Sequence, residues 1–213
     1  MSDKERPEAK ILEAAIDCIN DDGVQGVTVR RIAERAGVNV AAINYYYRSK
    51  DRLVDAAMEQ TMHNAFDDWM EIIRDRKRPI RARYRDILYE MVWGIASYPG
   101  ITRAHLYGPI VEGEADTLAT GWFSRFFELV SAETTAALPR VEPRVIQAAL
   151  MELFATALLV PLVRPMFGKV QPFDFTEEQG RGMFVEHLLD TFFRTLGDKH
   201  AAESLARGEA VGD

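Results

Sequence analysis

The stretch from Thr28 to Tyr47, TVRRIAERAGVNVAAINYYY, constrains the fold more than any other part of the chain. It carries two helical patterns, Thr28 to Ala36 and Asn39 to Tyr47, separated by Gly37. Each is too short to persist alone, because helix nucleation fixes many dihedral angles before hydrogen bonds repay it. Packing must therefore hold both, and Ile32, Ala33, Ala36, Val38, Ile43 and Tyr47 supply the apolar contacts. Thr28 and Asn39 are residue types that cap helix starts, and Gly37 can take the left-handed turn that ends the first helix. Ala33 and Gly37 are small where the two helices must approach. This is the layout of a helix-turn-helix, in which the second helix enters the DNA major groove.

Helical geometry assigns the faces of the second helix. With Ile43 in the core, Tyr47 lies about 40° and Val40 about 60° away at 100° per residue. Ala41, Asn44, Tyr45 and Arg48 fall on the far side, with Ala42 at the edge and Tyr46 between the faces. The three tyrosines therefore have different surroundings. Tyr45 can give its hydroxyl to a phosphate, Asn44 can pair with an adenine edge, and Val40, Ala41 and Ala42 are small enough to meet thymine methyls. From Thr28 to Arg52, six cations (Arg30, Arg31, Arg35, Arg48, Lys50, Arg52) face Glu34 and Asp51, a net of +4 in a chain of net −7. A basic patch on an acidic chain is the footprint of a selective DNA reader.

These residues resemble the DNA-binding segment of the tetracycline-repressor (TetR) family of bacterial transcription regulators. The matching features are the Thr28 cap, IAERAGV, the aromatic run YYY, and SK followed by a leucine three residues after Lys50, over roughly residues 8 to 55. Where members commonly carry Tyr-Tyr-His-Phe, this chain has Asn44-Tyr45-Tyr46-Tyr47, so an operator sequence does not transfer. The resemblance implies that Thr28, Asn39, Tyr45 and Lys50 hold phosphates while Val40, Ala41, Ala42, Asn44 and Tyr46 face or border the bases. It further implies a homodimer on a palindromic double-stranded operator, and a small-molecule effector in the C-terminal part that moves the fourth helix.

The rest of the chain reads as helices. Ile11, Leu12, Ala15, Ile16 and Ile19 recur at helical spacing until Asp21-Asp22-Gly23, and Ser49 can cap a long fourth helix with Leu53, Ala57, Met58, Met62, Phe66, Trp69 and Ile73 on one face. Beyond it, Pro79, the YPG at 98–100, Gly108-Pro109, Leu138–Pro143 and Gly168–Pro172 separate further helical runs. No alternating strand pattern occurs, which predicts an all-α fold of about nine helices. The expected division is a DNA-binding domain over 1–55, an effector-binding and dimerisation domain over 56–197, and a solvated tail over 198–213.

Two long helical patterns near the C-terminus, Glu142–Arg164 and Thr176–Leu196, correspond to those that form an intermolecular bundle in the resembled family. Their seams would use Val145, Ala149, Glu152, Leu153 and Thr156 on one, and Phe184, Leu188, Thr191, Phe192 and Thr195 on the other. The first is apolar nearly all round, and Gln147, Glu152 and Pro161 favour a buried bundle helix over a membrane span. Pro161 should kink its final turn. Aromatic and sulfur residues crowd the middle of the chain. Trp93, Tyr107, Trp122, Phe123, Phe126, Phe127, Met151 and Phe154 are candidates to line an apolar effector pocket, with His105 as its polar group. Core packing is the default reading for any single aromatic among them, and a structural role is the default for His105. The cationic run Arg74–Arg85 reads as a solvated helix junction, with an anion grip as the alternative.

Catalytic motifs are missing: neither a nucleophile elbow, a zincin His pair, a phosphate loop nor a dinucleotide glycine pattern occurs. The four histidines and single cysteine show no metal spacing, so no cofactor or metal is expected. A lone cysteine suits a reducing interior, and the charged first ten residues lack a signal peptide's apolar core, so a bacterial cytoplasmic location is expected. The alternatives to an effector-controlled regulator are a ligand carrier and an architectural DNA-binding protein.

Overall fold

The computed structural model describes residues 7–167, 170 and 172–197. The tail expected over 198–213 lies outside the described residues, as do Gly168, Lys169 and Gln171 of the break expected at Gly168–Pro172. The elements are α1 (Pro7–Gly26), α2 (Val29–Ala36), α3 (Val40–Tyr47), α4 (Lys50–Arg74), α5 (Ile80–Ser97), α6 (Pro99–Tyr107), a π-helical turn (Gly108–Glu112), α7 (Leu118–Ala137), α8 (Pro143–Leu162), α9 (Arg164–Phe167) and α10 (Glu178–Thr195). The fold is all-α, with ten α-helices and no strand among the described residues. The Asp21-Asp22-Gly23 stop proves to be an interruption: Gly23 leaves helical geometry at φ 70, ψ 165, and helix resumes to Gly26.

The chain groups into two compact units. The first joins the residues up to Ala65 with Tyr98–Trp122, and the second joins Phe66–Ser97 with the residues from Phe123 onward. Tyr98–Trp122 thus packs with the N-terminal helices, whereas a division at residue 55 places it elsewhere. The reason is visible in the core: Ile101, and more peripherally Ala104, pack into the same cluster as Ile11, Ile19, Ile32, Ile43 and Leu53.

The second unit is built on α5, α8 and α10, which pack against one another. Alone among the described helices, α8 is long and apolar enough to cross a membrane, but Ile146, Ala149, Leu150, Leu153, Phe154, Ala157 and Pro161 are buried in protein. Pro161 sits in its final turn, and the helix ends at Leu162. Phe126 meets Phe154 edge-on at 5.3 Å and Phe66 at 5.7 Å, and Tyr84 packs on Phe192 at 5.4 Å. These quadrupole-favoured geometries fill the core with large rings.

Candidate nucleic-acid interface

Both short helices of the first unit are fixed at their ends. Thr28 Oγ1 accepts the Arg31 amide at 3.2 Å, and Asn39 Oδ1 accepts the Ala42 amide at 2.8 Å. Gly37 takes φ 67, and its N–H together with that of Val38 closes onto the carbonyls of Glu34 and Ala33. Ser49 Oγ then accepts the Arg52 amide at the start of α4. The left-handed residue at the end of α3 is Arg48, at φ 64, where a glycine would meet no steric cost.

The faces of α3 fall as helical geometry requires. Ile43 is fully buried, while Ala41, Asn44, Tyr45, Tyr46 and Arg48 are exposed and Ala42 is half-buried. Tyr45 is 80% exposed and Tyr46 37%, their rings edge-on at 5.1 Å. Tyr47 is half-buried and donates its hydroxyl to the Glu8 carbonyl at 3.2 Å. Burial, and then the nearby Glu8 charge, push its pKa up to about 12, so it stays a neutral strut. Val40 is 40% exposed, beside Asn39 at the helix start. The outward surface therefore presents small side chains, one carboxamide, one prominent phenol and one guanidinium.

The local cation surplus is partly committed inside the unit. Arg31 pairs with Asp22 at 2.7 Å, and Arg35 reaches Asp21 at 2.6 Å and Asp17 at 3.3 Å, all three acids lying on α1. Lys50 Nζ donates to the Val27 carbonyl at 3.3 Å, which orients it and leaves further N–H groups for a phosphate. Sequence reasoning missed these pairs, although Asp17, Asp21 and Asp22 on the preceding helix were the available signal.

The residues considered for an effector divide between the units. His105 and Tyr107 belong to the first and border a cavity of about 920 Å³ between the end of α1, α4, α6 and the π-helical turn. Thr61 donates its hydroxyl to the Met58 carbonyl and so accepts from His105 Nε2 at 2.8 Å, which puts the imidazole proton on Nε2. Desolvation lowers the His105 pKa to about 4. Trp122 stacks edge-on with His63 in the same unit. In the second unit, Phe126 and Phe154 are core residues, Phe123 and Phe127 are half-buried, and Trp93 and Met151 are exposed.

Of the seam residues, Ala149, Leu153, Phe184, Leu188 and Phe192 are buried within this chain's second unit. Val145, Glu152, Thr191 and Thr195 are exposed, and Thr156 is half-buried. The cationic run is largely consumed by ion pairs. Arg76 grips Glu133 with two bonds at 2.7 and 3.0 Å, Arg78 pairs with Asp86, and Arg81 bridges Glu186 and Asp190 of α10. Arg83 is 4% exposed, donates to the Ile73 carbonyl at 2.6 Å and faces Glu133 at 3.4 Å.

Comparison with known proteins agrees with this geometry. Residues 11–57 match the family described as bacterial regulatory proteins, tetR family. The tetracycline repressor protein class A from transposon 1721 of Escherichia coli is 34% identical over 87 residues, 36% of this chain and 40% of that protein. The nucleoid occlusion factor SlmA of Actinobacillus pleuropneumoniae serotype 5b is 29% identical over 126 residues, 59% of this chain and 60% of its own length. The match thus spans well under the full length of either relative. The fold is shared with the crystal structure of the transcriptional regulator FadR from Bacillus subtilis in complex with stearoyl-CoA, at TM-score 0.56 and 13% identity over 86% of this chain and 96% of that one. With its capped pair of short helices and the match over residues 11–57, the chain carries the N-terminal DNA-binding segment of the TetR family of bacterial regulatory proteins on a fold shared with TetR-family regulators.

Proposed function

We propose that the chain is a transcriptional repressor that binds a palindromic operator as a homodimer and is released by a small, largely apolar effector. The observation that carries the reading is the outward face of α3, where Asn44, Tyr45 and Arg48 project beside small residues from a helix locked at both ends. In this reading Thr28, Asn39, Tyr45 and Lys50 contact phosphates, while Val40, Ala41, Ala42, Asn44 and Tyr46 meet base edges. Repression follows the tetracycline repressor's own name. An apolar effector is supported by the aromatic content of the second unit and by FadR, a protein of this fold that holds stearoyl-CoA.

Dimerisation is supported by a stripe on α8 that is exposed among the described residues. Val145, Ala148, Met151, Glu152, Ala155 and Leu159 recur three to four residues apart and are all exposed, Met151 at 63%. The alanines let a second helix approach closely, and Thr191 and Thr195 are exposed on α10. Two reading helices on such a dimer would dock on half-sites about 34–36 Å apart, or a multiple of this.

Selection of duplexes from a random library by the full chain tests the reading. The expected product is an inverted repeat, protected as two half-sites about one helical turn apart or a multiple of that, by a species sedimenting as an even number of chains. Met151→Arg should yield a monomer with sharply weakened binding. Recovery of unrelated sequences by a monomer would overturn it. The similarity to SlmA favours a second reading, an architectural DNA-binding factor without effector control, in which no small molecule changes operator affinity.

A further inference from the structure

Three consecutive residues at the end of α1 face two different helices of the first unit. Asn20 Oδ1 accepts the backbone N–H of Gly100 at 2.9 Å and that of Ile101 at 3.4 Å, capping the start of α6. Asp21 and Asp22 follow, holding Arg35 and Arg31 of α2 at 2.6 and 2.7 Å. A Cβ on residue 100 would run into the main chain of Asn20, so the approach of α6 to α1 depends on glycine. Immediately after Asp22, Gly23 departs from helical geometry, which isolates this short segment from the last turn of α1. One side of the segment therefore grips α6 and the other grips the helix-turn-helix.

We propose that Asn20–Gly23 is a joint that couples α6 to α2, so that displacement of the α6 start reaches the DNA-reading helices through the end of α1. The chain enters Tyr98–Trp122 from Ser97, so the start of α6 lies next to one of the places where the chain passes between the two units, another being Ala65–Phe66 within α4. Asn20 is a positioning residue in this scheme: it holds α6 against α1 and touches no DNA. Arg31 and Arg35 are restrained by the neighbouring aspartates, so a shift of the joint changes both the tilt of α2 and the freedom of two cations. The inference rests on the DNA-binding reading of α3. Coupling must be reciprocal: a duplex that restrains α2 and α3 must also restrain α6.

Hydrogen exchange on the full chain, free and saturated with a duplex selected from a random library, tests the joint. The readout is the amides of residues 103–107, beyond the two N–H groups that Asn20 itself caps. In the parent chain DNA should slow their exchange by about fivefold or more, the low end of a typical coupling. Asn20→Ala should abolish that response while protection in α2 and α3 persists and duplex affinity stays within about threefold of the parent, a fraction of one coupling step. Asn20→Asp, which still offers an oxygen to both N–H groups, should restore it. If Asn20→Ala fails to fold, the double variant Asp21→Ala/Asp22→Ala removes both joint aspartates that hold α2 and should show the same loss. An α6 response that survives in the broken variant, or none in the parent chain while α3 is protected, overturns the joint alone. Absence of protection in α3 overturns the DNA-binding reading and the joint with it.

Discussion

In the first unit, the two shortest helices are held at their ends by side chains that cap backbone N–H groups, and ion pairs between α1 and α2 lie near the surface. In the second unit, α5, α8 and α10 are held along their lengths by large rings, and Glu133 and Arg83 form a buried charged pair that the exposed Arg76 reaches from outside. The contrast shows how one chain can present a surface and also sustain a core. Fixing helices by their ends frees a whole face of α3 for a ligand as large as a duplex. Fixing them by their flanks gives tighter burial and leaves only stripes exposed.

The comparison is broken most forcefully at Glu133. It is 7% exposed and faces both Arg76 and the buried Arg83, which also reaches the Ile73 carbonyl. Glu133→Ala leaves the Arg83 guanidinium buried without its carboxylate and should cost about 3–5 kcal/mol in urea unfolding. The bond from Arg76, chiefly, holds the Glu133 carboxyl below its ordinary range. This contribution is therefore full above the ordinary carboxylate pKa and disappears as pH falls through the lower folded value. A loss under about 1 kcal/mol, the size expected of an exposed pair, would contradict the buried-network account.

His105 gives the next effect, and it belongs to the first unit. Burial keeps its imidazole neutral down to about pH 4, against an ordinary value of 6.5. The unfolded chain takes up that proton first, so the contribution is complete above about pH 6.5 and is lost as pH falls toward 4. It is on the order of 3 kcal/mol. His105→Gln, which can still donate to Thr61, should flatten the stability curve across that window. A curve unchanged in slope would mean that the imidazole is not held neutral.

Smaller effects separate the end-fixing devices. Asn39→Ala removes the α3 cap and should cost about 1 kcal/mol, measured by thermal unfolding. Arg48→Gly should act in the opposite direction, relieving a positive φ by about 1 kcal/mol. The same change should weaken duplex binding, because it deletes a cation beside the reading face. If stability and binding both rise, Arg48 is retained for neither purpose.

The same contrast explains how much was legible in the sequence. Thr28, Gly37, Asn39 and Ser49 act within a few residues of themselves, so spacing alone located α2, α3 and the start of α4, and the faces of Tyr45, Tyr46 and Tyr47 followed from helical geometry. Residues acting over long separations left no such trace. The packing of Gly100 on Asn20, the pairing of Arg76 with Glu133 and the burial of Ala149, Leu153 and Phe192 within one chain depend on how helices meet. Leu153 and Phe192 fit an intermolecular seam and an intramolecular core equally well by periodicity. The arginines of the 74–85 run look solvated in sequence because their acids, Glu133, Glu186 and Asp190, lie far along the chain.

The central claim is that α3 reads base identity through Asn44 while Tyr45 only anchors the backbone. A base-by-base binding scan with the parent chain, Asn44→Ala and Tyr45→Phe, at fixed salt, tests it most directly. Asn44→Ala should relax preference at one position per half-site, at a cost of about 1–3 kcal/mol, and Tyr45→Phe should weaken all sequences alike. A preference profile unchanged by Asn44→Ala, or one altered by Tyr45→Phe without loss of affinity, would contradict the assignment of this face.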